Sequence, residues 1–126
     1  MPEEKKKILV VDDDPDMVFA IRQFLEAEGY EVTGVPDGEH ALEALKNIEA
    51  NLVICDVVLP GMDGLRLCKE IKKNQGASAI PILMLTGKDE AKDDIISYES
   101  GADKFIAKPF RNDDLARTVS ELLKKK

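Results

Sequence analysis

The chain has 126 residues, and its 18 Lys and Arg residues against 25 Asp and Glu residues give a formal net charge of −7. This length fits one domain rather than two, and a content of 44% hydrophobic and 34% charged residues excludes wholesale disorder. A sequence pI near 4.8 argues against a nucleic-acid-binding surface, because phosphate contacts require clustered positive charge.

The sequence predicts neither a membrane span nor an export signal. The longest apolar stretch, residues 79–85, is interrupted by Pro81 and is well short of the roughly 18 residues that a span needs. The apolar run at residues 8–11 is too short for a signal peptide. We therefore expect a cytoplasmic protein in which Cys55 and Cys68 are reduced and act as small buried hydrophobic residues.

Short apolar runs alternate with helical patterns along the chain. Residues 8–11 predict a strand, and apolar residues at helical spacing predict a helix over residues 16–28 that stops at Gly29. The next strand is predicted at residues 31–35 and the next helix around residues 41–48. A strand at residues 52–55 then precedes a helix around residues 65–71, for which Asp63 is the expected N-cap.

The same alternation continues to the end of the sequence. Residues 81–85 predict a fourth strand and residues 95–98 lie on a fourth helix that stops at Gly101. Residues 104–107 predict a fifth strand, and apolar residues between 115 and 123 mark a fifth helix. Five strand–helix units predict an α/β fold with a parallel sheet that is covered on both faces by helices.

Polar side chains follow four of the five predicted strands. Ligands of such sheets bind outside the carboxyl ends of the strands, so these side chains are expected to converge on one site. They are Asp12 and Asp13 after the first strand, Asp56 after the third, Thr86 after the fourth and Lys108 after the fifth.

Three neighbouring carboxylates need a counter-charge. At ~4 Å each pair of like charges costs about 4 kcal/mol at an effective dielectric constant near 20. Lys108 supplies one positive charge, and Mg²⁺, which prefers carboxylates together with water and phosphate oxygens, is the natural source of the rest. A carboxylate that faces a cation, a Lys and a Thr is suited to accept a phosphoryl group.

Each of these residues also has a plain structural interpretation. Residues 12–14 could cap the following helix, Asp56 and Thr86 could be turn residues, and Lys108 could be a surface lysine. The occurrence of such residues at four strand ends favours the functional interpretation. A calcium loop starting at Asp12 is excluded, because Met17 stands where that loop requires Gly and Gln23 where it requires Glu.

The motifs resemble the receiver domains of bacterial two-component response regulators. The resemblance covers residues 7–123 and depends on the run ILVVDDD, on Asp56 with LPGMDG, on Thr86-Gly87, on Gly-Ala-Asp at 101–103 and on Lys108-Pro109-Phe110. It implies a flavodoxin-like, doubly wound sheet of order 2-1-3-4-5 and a single receiver domain over residues 1–126. Whether the domain stands alone or belongs to a larger regulator stays open at this stage.

The resemblance also assigns roles to individual residues. Asp56 is the implied phospho-acceptor, and Asp12, Asp13 and the backbone carbonyl of Val58 are the implied Mg²⁺ ligands, with Mn²⁺ as a substitute. Thr86 and Lys108 are implied to bind the phosphoryl oxygens. Two further residues complete the implied site, namely Phe105 as the aromatic switch and Pro109 after a cis peptide bond.

The implied activity is a signalling switch rather than an enzyme, although the domain assists its own Mg²⁺-dependent phosphorylation and dephosphorylation. The donor is a histidine kinase or a phosphotransfer protein, and the partner-binding face combines the fourth helix, the fifth strand and the fifth helix. The downstream effector is not identified. Val58 and Lys88 are expected to flank the path of the water that hydrolyses the phosphorylated form.

Two features leave alternatives open. Some DNA-binding regulators pair an Asp before the fifth strand with an Arg in the last helix, but this chain has Lys104 at the first place and its Arg117 falls one residue early. A dimer of that kind is therefore not expected. The rival function is a small aspartate-nucleophile phosphatase, in which Asp12 of the pattern Asp12-x-Asp14 would be the nucleophile and Asp56 would have no role.

Overall fold

The computed structural model describes residues 5–73, 80–87 and 101–124. The strands are β1 (Lys7–Val11), β2 (Glu31–Val35), β3 (Leu52–Asp56), β4 (Ile82–Thr86) and β5 (Lys104–Ala107). The helices within these ranges are α1 (Pro15–Ala27), α2 (Gly38–Asn47), α3 (Gly64–Lys73) and a last helix (Asn112–Lys124). The helix expected around residues 95–98, like Lys88, lies outside the described residues.

All described strand pairs are parallel, and the sheet has the order β2-β1-β3-β4-β5. This confirms the predicted doubly wound α/β fold. The predicted strands are right to within one residue at their ends. Asp56 and Thr86 belong to β3 and β4 rather than following them, because Asp56 pairs with Leu85 and Thr86 pairs with Ala107 in the backbone ladder.

Two separate apolar layers cover the sheet, because alternate side chains of each strand point to opposite faces. One layer combines residues of the three central strands with apolar residues of α2 and α3, and it contains both cysteines, which are buried and not disulfide-bonded. The other combines the alternate strand residues with apolar residues of α1 and the last helix. Every residue of β3 and β4 is buried, as expected for central strands covered on both faces.

Three helices begin at an aspartate that accepts a backbone hydrogen bond from the first turn. Asp14 accepts from Asp16 N at 2.9 Å, Asp37 from His40 N at 2.8 Å and Asp63 from Arg66 N at 2.8 Å. The predicted cap at Asp63 is confirmed. In the described part of the chain, no helix is both long enough and apolar enough to cross a membrane.

Candidate functional site at the carboxyl edge of the sheet

Three carboxylates converge where β1 and β3 end. Ligand oxygens of Asp12, Asp13 and Asp56 all lie within 4.8 Å of one another. Asp12 is 1% exposed and Asp56 is 9% exposed, whereas Asp13 is exposed to solvent. Hard oxygen ligands at this spacing fit a divalent cation such as Mg²⁺.

The ammonium group of Lys108 provides positive charge to this cluster. Its Nζ donates to Asp56 Oδ2 at 2.8 Å and to Asp12 Oδ2 at 3.2 Å. The backbone of Lys108 is held at the same edge, because its N–H donates to Thr86 O at 2.6 Å. The Lys108–Pro109 peptide bond is cis. Asp56 and Asp12, which lie 52 and 96 positions before Lys108 in the sequence, thus share its ammonium group.

Backbone hydrogen bonds orient the two buried carboxylates. Asp12 Oδ1 accepts from Asp14 N at 2.9 Å, and Asp56 Oδ1 accepts from Val58 N at 3.1 Å. Each carboxylate therefore has one oxygen held by its own loop and the other held by Lys108. This arrangement fixes both side chains before any ligand arrives.

Gly64 permits the close approach of α3 to the backbone of Asp56. A Cβ atom at position 64 would overlap Asp56 O and Val57 Cα, both of which are backbone atoms that cannot easily move aside. The N–H of Gly64 donates to Val57 O at 2.8 Å and closes the loop after Asp56. The sequence analysis did not predict this close approach, for which the pair Asp63-Gly64 at the start of α3 is the sequence signal.

Burial and neighbouring charges both shift the pKa values of Asp12 and Lys108. Burial raises the pKa of Asp12, and the nearby Asp56 carboxylate adds to this, although the Asp14 N–H and Lys108 act in the opposite direction. Burial also disfavours the charged form of Lys108, but its bonds to Asp56 and the charge of Asp12 outweigh burial and leave its pKa raised. Lys108 therefore stays charged, while the negative charge of Asp12 is only partly compensated.

The remaining predicted residues lie around this cluster with differing geometry. Thr86 is buried, and its Oγ1 lies 3.5 Å from Ile106 O on β5. Phe105 is partly buried and packs against the apolar layer of α2 and α3. The Val58 side chain is 61% exposed. The carboxylates of Asp12, Asp13 and Asp56 and the ammonium group of Lys108 thus form the centre of the site.

Each structural alternative accounts for only part of this arrangement. Asp14 does cap α1, so one acid of the run at residues 12–14 has the helix-capping role. A cap does not explain why Asp12 and Asp56 share Lys108. The phosphatase alternative requires Asp12 to attack a substrate, but Asp12 is almost completely buried and both of its oxygens accept hydrogen bonds.

Comparison with known proteins defines the class to which this site belongs. Residues 8–120 match the family described as the response regulator receiver domain, and the chain belongs to that family. It is a phosphorylation-dependent signalling switch, and a phosphatase is not favoured.

Individual relatives agree with this assignment. The chain is 39% identical over 120 residues to the alkaline phosphatase synthesis transcriptional regulatory protein PhoP of Bacillus subtilis, covering 95% of this chain and 49% of PhoP. The receiver domain of a signal transduction histidine kinase from Syntrophus aciditrophicus superposes with a TM-score of 0.89 at 35% identity, covering 96% of this chain and 94% of that one.

A second similar structure is the receiver domain of a sensor histidine kinase from Pseudomonas aeruginosa, in which a magnesium ion is coordinated in the active site cleft. Its TM-score is 0.87 at 28% identity, and the match covers 95% of this chain and 98% of that one. The chain spans about half the length of the curated relatives that it matches.

Proposed function

We propose that Asp56 accepts a phosphoryl group from a phosphohistidine of a histidine kinase or a phosphotransfer protein. The observation that carries this proposal is the 2.8 Å bond between Lys108 Nζ and Asp56 Oδ2 within a cluster of three carboxylates. A carboxylate oxygen of Asp56 forms the new bond to phosphorus, the bond from phosphorus to the donor nitrogen breaks, and the released imidazole takes up a proton.

Asp12, Asp13, Asp56 and the backbone carbonyl of Val58 are the groups that we propose to hold Mg²⁺, for which Mn²⁺ can substitute. The fit depends on the carboxylate oxygens lying within 4.8 Å of one another. When bound, the metal ion supplies positive charge to the transferred phosphoryl oxygens. Lys108 fixes one oxygen of Asp56 and provides a second positive charge to the incoming group.

The proposed switch uses Thr86 and Phe105. Thr86 Oγ1 is directed to the carbonyl of Ile106, a neighbour of Phe105 on β5. A phosphoryl group on Asp56 offers this hydroxyl a stronger, charged acceptor, so Thr86 turns toward it and releases the β5 backbone. Phe105 then rotates inward and changes the face that we propose for partner binding, namely the predicted fourth helix, β5 and the last helix.

The partner of this face is proposed only as a protein. Lys104 is exposed on β5, and Arg117 is paired with Asp114 within the last helix, so neither supports a salt-bridged dimer. The curated relatives are about twice as long as this chain. A transcriptional output like that of PhoP is therefore proposed for the whole protein and not for this domain by itself. We propose that the phosphotransfer takes place in the cytoplasm, in keeping with two buried cysteines that are not disulfide-bonded.

The test of this function is phosphorylation by a small donor without a kinase. Acetyl phosphate with Mg²⁺ is expected to add one phosphoryl group, measured by intact mass, because the chain itself supplies the acceptor carboxylate and the lysine. The Asp56→Asn variant should not be modified. Asp37→Asn, which changes another carboxylate that follows a strand, is the matched control and should be modified normally.

Two outcomes would contradict the proposal. Equal labelling of Asp56→Asn would place the acceptor elsewhere. Sustained turnover of a generic phosphomonoester that is abolished in Asp12→Asn would instead support the phosphatase alternative.

A further inference from the structure

The strand that leads to Lys108 contains no fully buried residue. β5 has four residues and lies at the edge of the sheet, where, among the described strands, it pairs with β4 alone. Its two terminal residues are exposed and its two central residues are only partly buried. Burial alone therefore holds β5 less firmly than β3 or β4, in which every residue is buried.

A polar cluster at the amino ends of β4 and β5, opposite the carboxyl ends that carry the site, holds the start of this strand. Asp103, which directly precedes β5, donates its N–H to Ile82 O at 2.9 Å and accepts the N–H of Ile82 on its Oδ2 at 2.8 Å. Each of these two residues thus donates its backbone N–H to the other. The Asp103 side chain thus extends the pairing of β4 with β5 by one residue, which a side chain without an acceptor could not do.

Lys72, in the last turn of α3, connects this pair to a third element. Its Nζ donates to Ile80 O at 3.0 Å and to Asp103 Oδ2 at 3.3 Å. The side chain of Lys72 is 25% exposed, so its charge is partly shielded from water. An exposed ion pair contributes little by itself, but here the same ammonium also satisfies a backbone carbonyl before β4 and an acceptor that already holds Ile82.

The positions of these contacts relate them to the phosphorylation site. Lys108 is five residues after Asp103, which is about 16 Å along an extended strand. One end of this segment is held by Asp103 and Lys72, and the other end by the bond from Lys108 N to Thr86 O. Loss of the first set of contacts lets β5 fray from its start, and the position of the Lys108 ammonium is then less well defined.

We infer that Lys72 and Asp103 are positioning residues for Lys108, which they hold against Asp56 through β5. This inference is based on the proposed role of Lys108 in phosphotransfer. A purely structural role for the same contacts would stabilise the fold without any specific effect on the phosphorylation site.

The two roles differ in their effect on metal affinity. Lys108 competes with a cation for Asp12 and Asp56, since it donates to both carboxylates. Displacement of Lys108 should therefore slow phosphorylation while Mg²⁺ binds as well as before or more tightly. A general loosening of the fold would weaken both phosphorylation and Mg²⁺ binding.

The experiment compares Asp103→Ala, Asp103→Asn and Lys72→Met with the unaltered chain. The initial rate of phosphorylation by acetyl phosphate is measured together with the Mg²⁺ dissociation constant by calorimetry and the hydrogen exchange of the β5 amides. Asp103→Ala is expected to slow phosphorylation about tenfold, which corresponds to ~1.4 kcal/mol of activation free energy. Its β5 amides should exchange faster, and its Mg²⁺ affinity should be unchanged or higher.

The other variants separate the contributions. Asp103→Asn keeps an oxygen acceptor for Ile82 N–H and should recover most of the rate, while Lys72→Met should give a smaller loss than Asp103→Ala. Lys73→Met is the matched control, because the adjacent Lys73 is largely exposed and pairs with Glu70 of its own helix, and it should behave like the unaltered chain.

Three results would overturn the inference. They are normal phosphorylation by Asp103→Ala, a parallel loss of Mg²⁺ affinity and rate in that variant, and unchanged exchange of the β5 amides. If the unaltered chain accepted no phosphoryl group, the proposed function would fail, and the inference would be judged separately by amide exchange and Mg²⁺ affinity.

Discussion

Replacement of Lys108 by methionine tests how the acidic cluster is held together without metal. The change removes an ammonium group that donates to Asp56 Oδ2 at 2.8 Å and to Asp12 Oδ2 at 3.2 Å, while it keeps an unbranched side chain of similar length. Two almost completely buried carboxylates then lack their shared counter-charge. The free energy of unfolding without metal should therefore fall at neutral pH.

The size of the effect follows from burial and distance. Breaking a fully buried ion pair costs about 3–5 kcal/mol. The Lys108 side chain is 24% exposed, and its exposure reduces this figure because water screens part of the charge, so we expect about 2 kcal/mol. For a chain of this size the melting temperature should fall by roughly 6–12 °C, since 1 kcal/mol corresponds to about 3–6 °C.

Metal and pH should change this difference in defined directions. Mg²⁺ replaces the lost positive charge, so at saturating Mg²⁺ the melting temperatures of Lys108→Met and the unaltered chain should converge. Acid should also reduce the difference, because the raised pKa of Asp12 means that this carboxyl takes up a proton early as pH falls.

Alkaline pH gives an independent check on the sign. The pKa of Lys108 is raised, so its contribution to stability is complete below the ordinary lysine value and is lost as pH rises through the raised pKa. The unaltered chain should therefore lose stability in this alkaline range, whereas Lys108→Met should lack that transition. The assay is thermal unfolding with and without Mg²⁺ across pH.

The matched control is Lys104→Met, which removes an exposed lysine from β5 and should change the melting temperature little. A Lys108→Met chain that is as stable as the unaltered chain without metal would refute the reasoning. So would a stability difference that Mg²⁺ leaves unchanged.

Further predictions concern the metal ligand, the oligomeric state and the lifetime of the phosphorylated form. Asp13→Ala should weaken Mg²⁺ binding and abolish phosphorylation. Without metal and at low salt, its melting temperature should be higher than that of the unaltered chain, because one of three crowded carboxylates is removed. A lower melting temperature without metal would contradict this. Phosphorylation should not produce a dimer through Lys104 and Arg117, and light scattering of the beryllofluoride-activated chain tests this, with a dimer abolished by charge reversal at both residues as the contrary result. Val58→Asn combined with Lys88→Glu should shorten the lifetime of phosphorylated Asp56 about tenfold, which corresponds to ~1.4 kcal/mol of activation free energy, because the new side chains orient the attacking water. An unchanged rate of label loss would show that neither side chain controls water access.

Much of the fold could be predicted from local sequence. The apolar runs of β1, β3 and β4 are buried on both sides, so their composition alone marks them as central strands of a parallel sheet. β2 and β5 are edge strands with exposed positions, and their flanking turn residues rather than hydrophobicity indicated where they lie. The strand order came from the family resemblance, because local periodicity does not specify which strands are neighbours.

The candidate site, like the fold, could be predicted only in part from the sequence. Asp12, Asp56, Thr86 and Lys108 could be placed at one edge from the sequence, because each ends a strand of a parallel sheet. Their individual environments could not be predicted. Asp12 and Asp13 are adjacent in the sequence and both follow β1, yet Asp12 is buried and Asp13 is exposed.

Only the tertiary structure shows which of these charged atoms are bonded to one another. The bonds of Lys108 to Asp56 and Asp12 span 52 and 96 residues, and those of Asp103 to Lys72 and Ile82 span 31 and 21. No local pattern in the sequence encodes such pairs. They form because parallel packing brings the ends of β1, β3 and β5 to one edge of the sheet and the start of β5 beside α3 and β4 at the other. Sequence thus determined which chemical groups each strand end carries, and packing determined which of them share a proton donor or a cation.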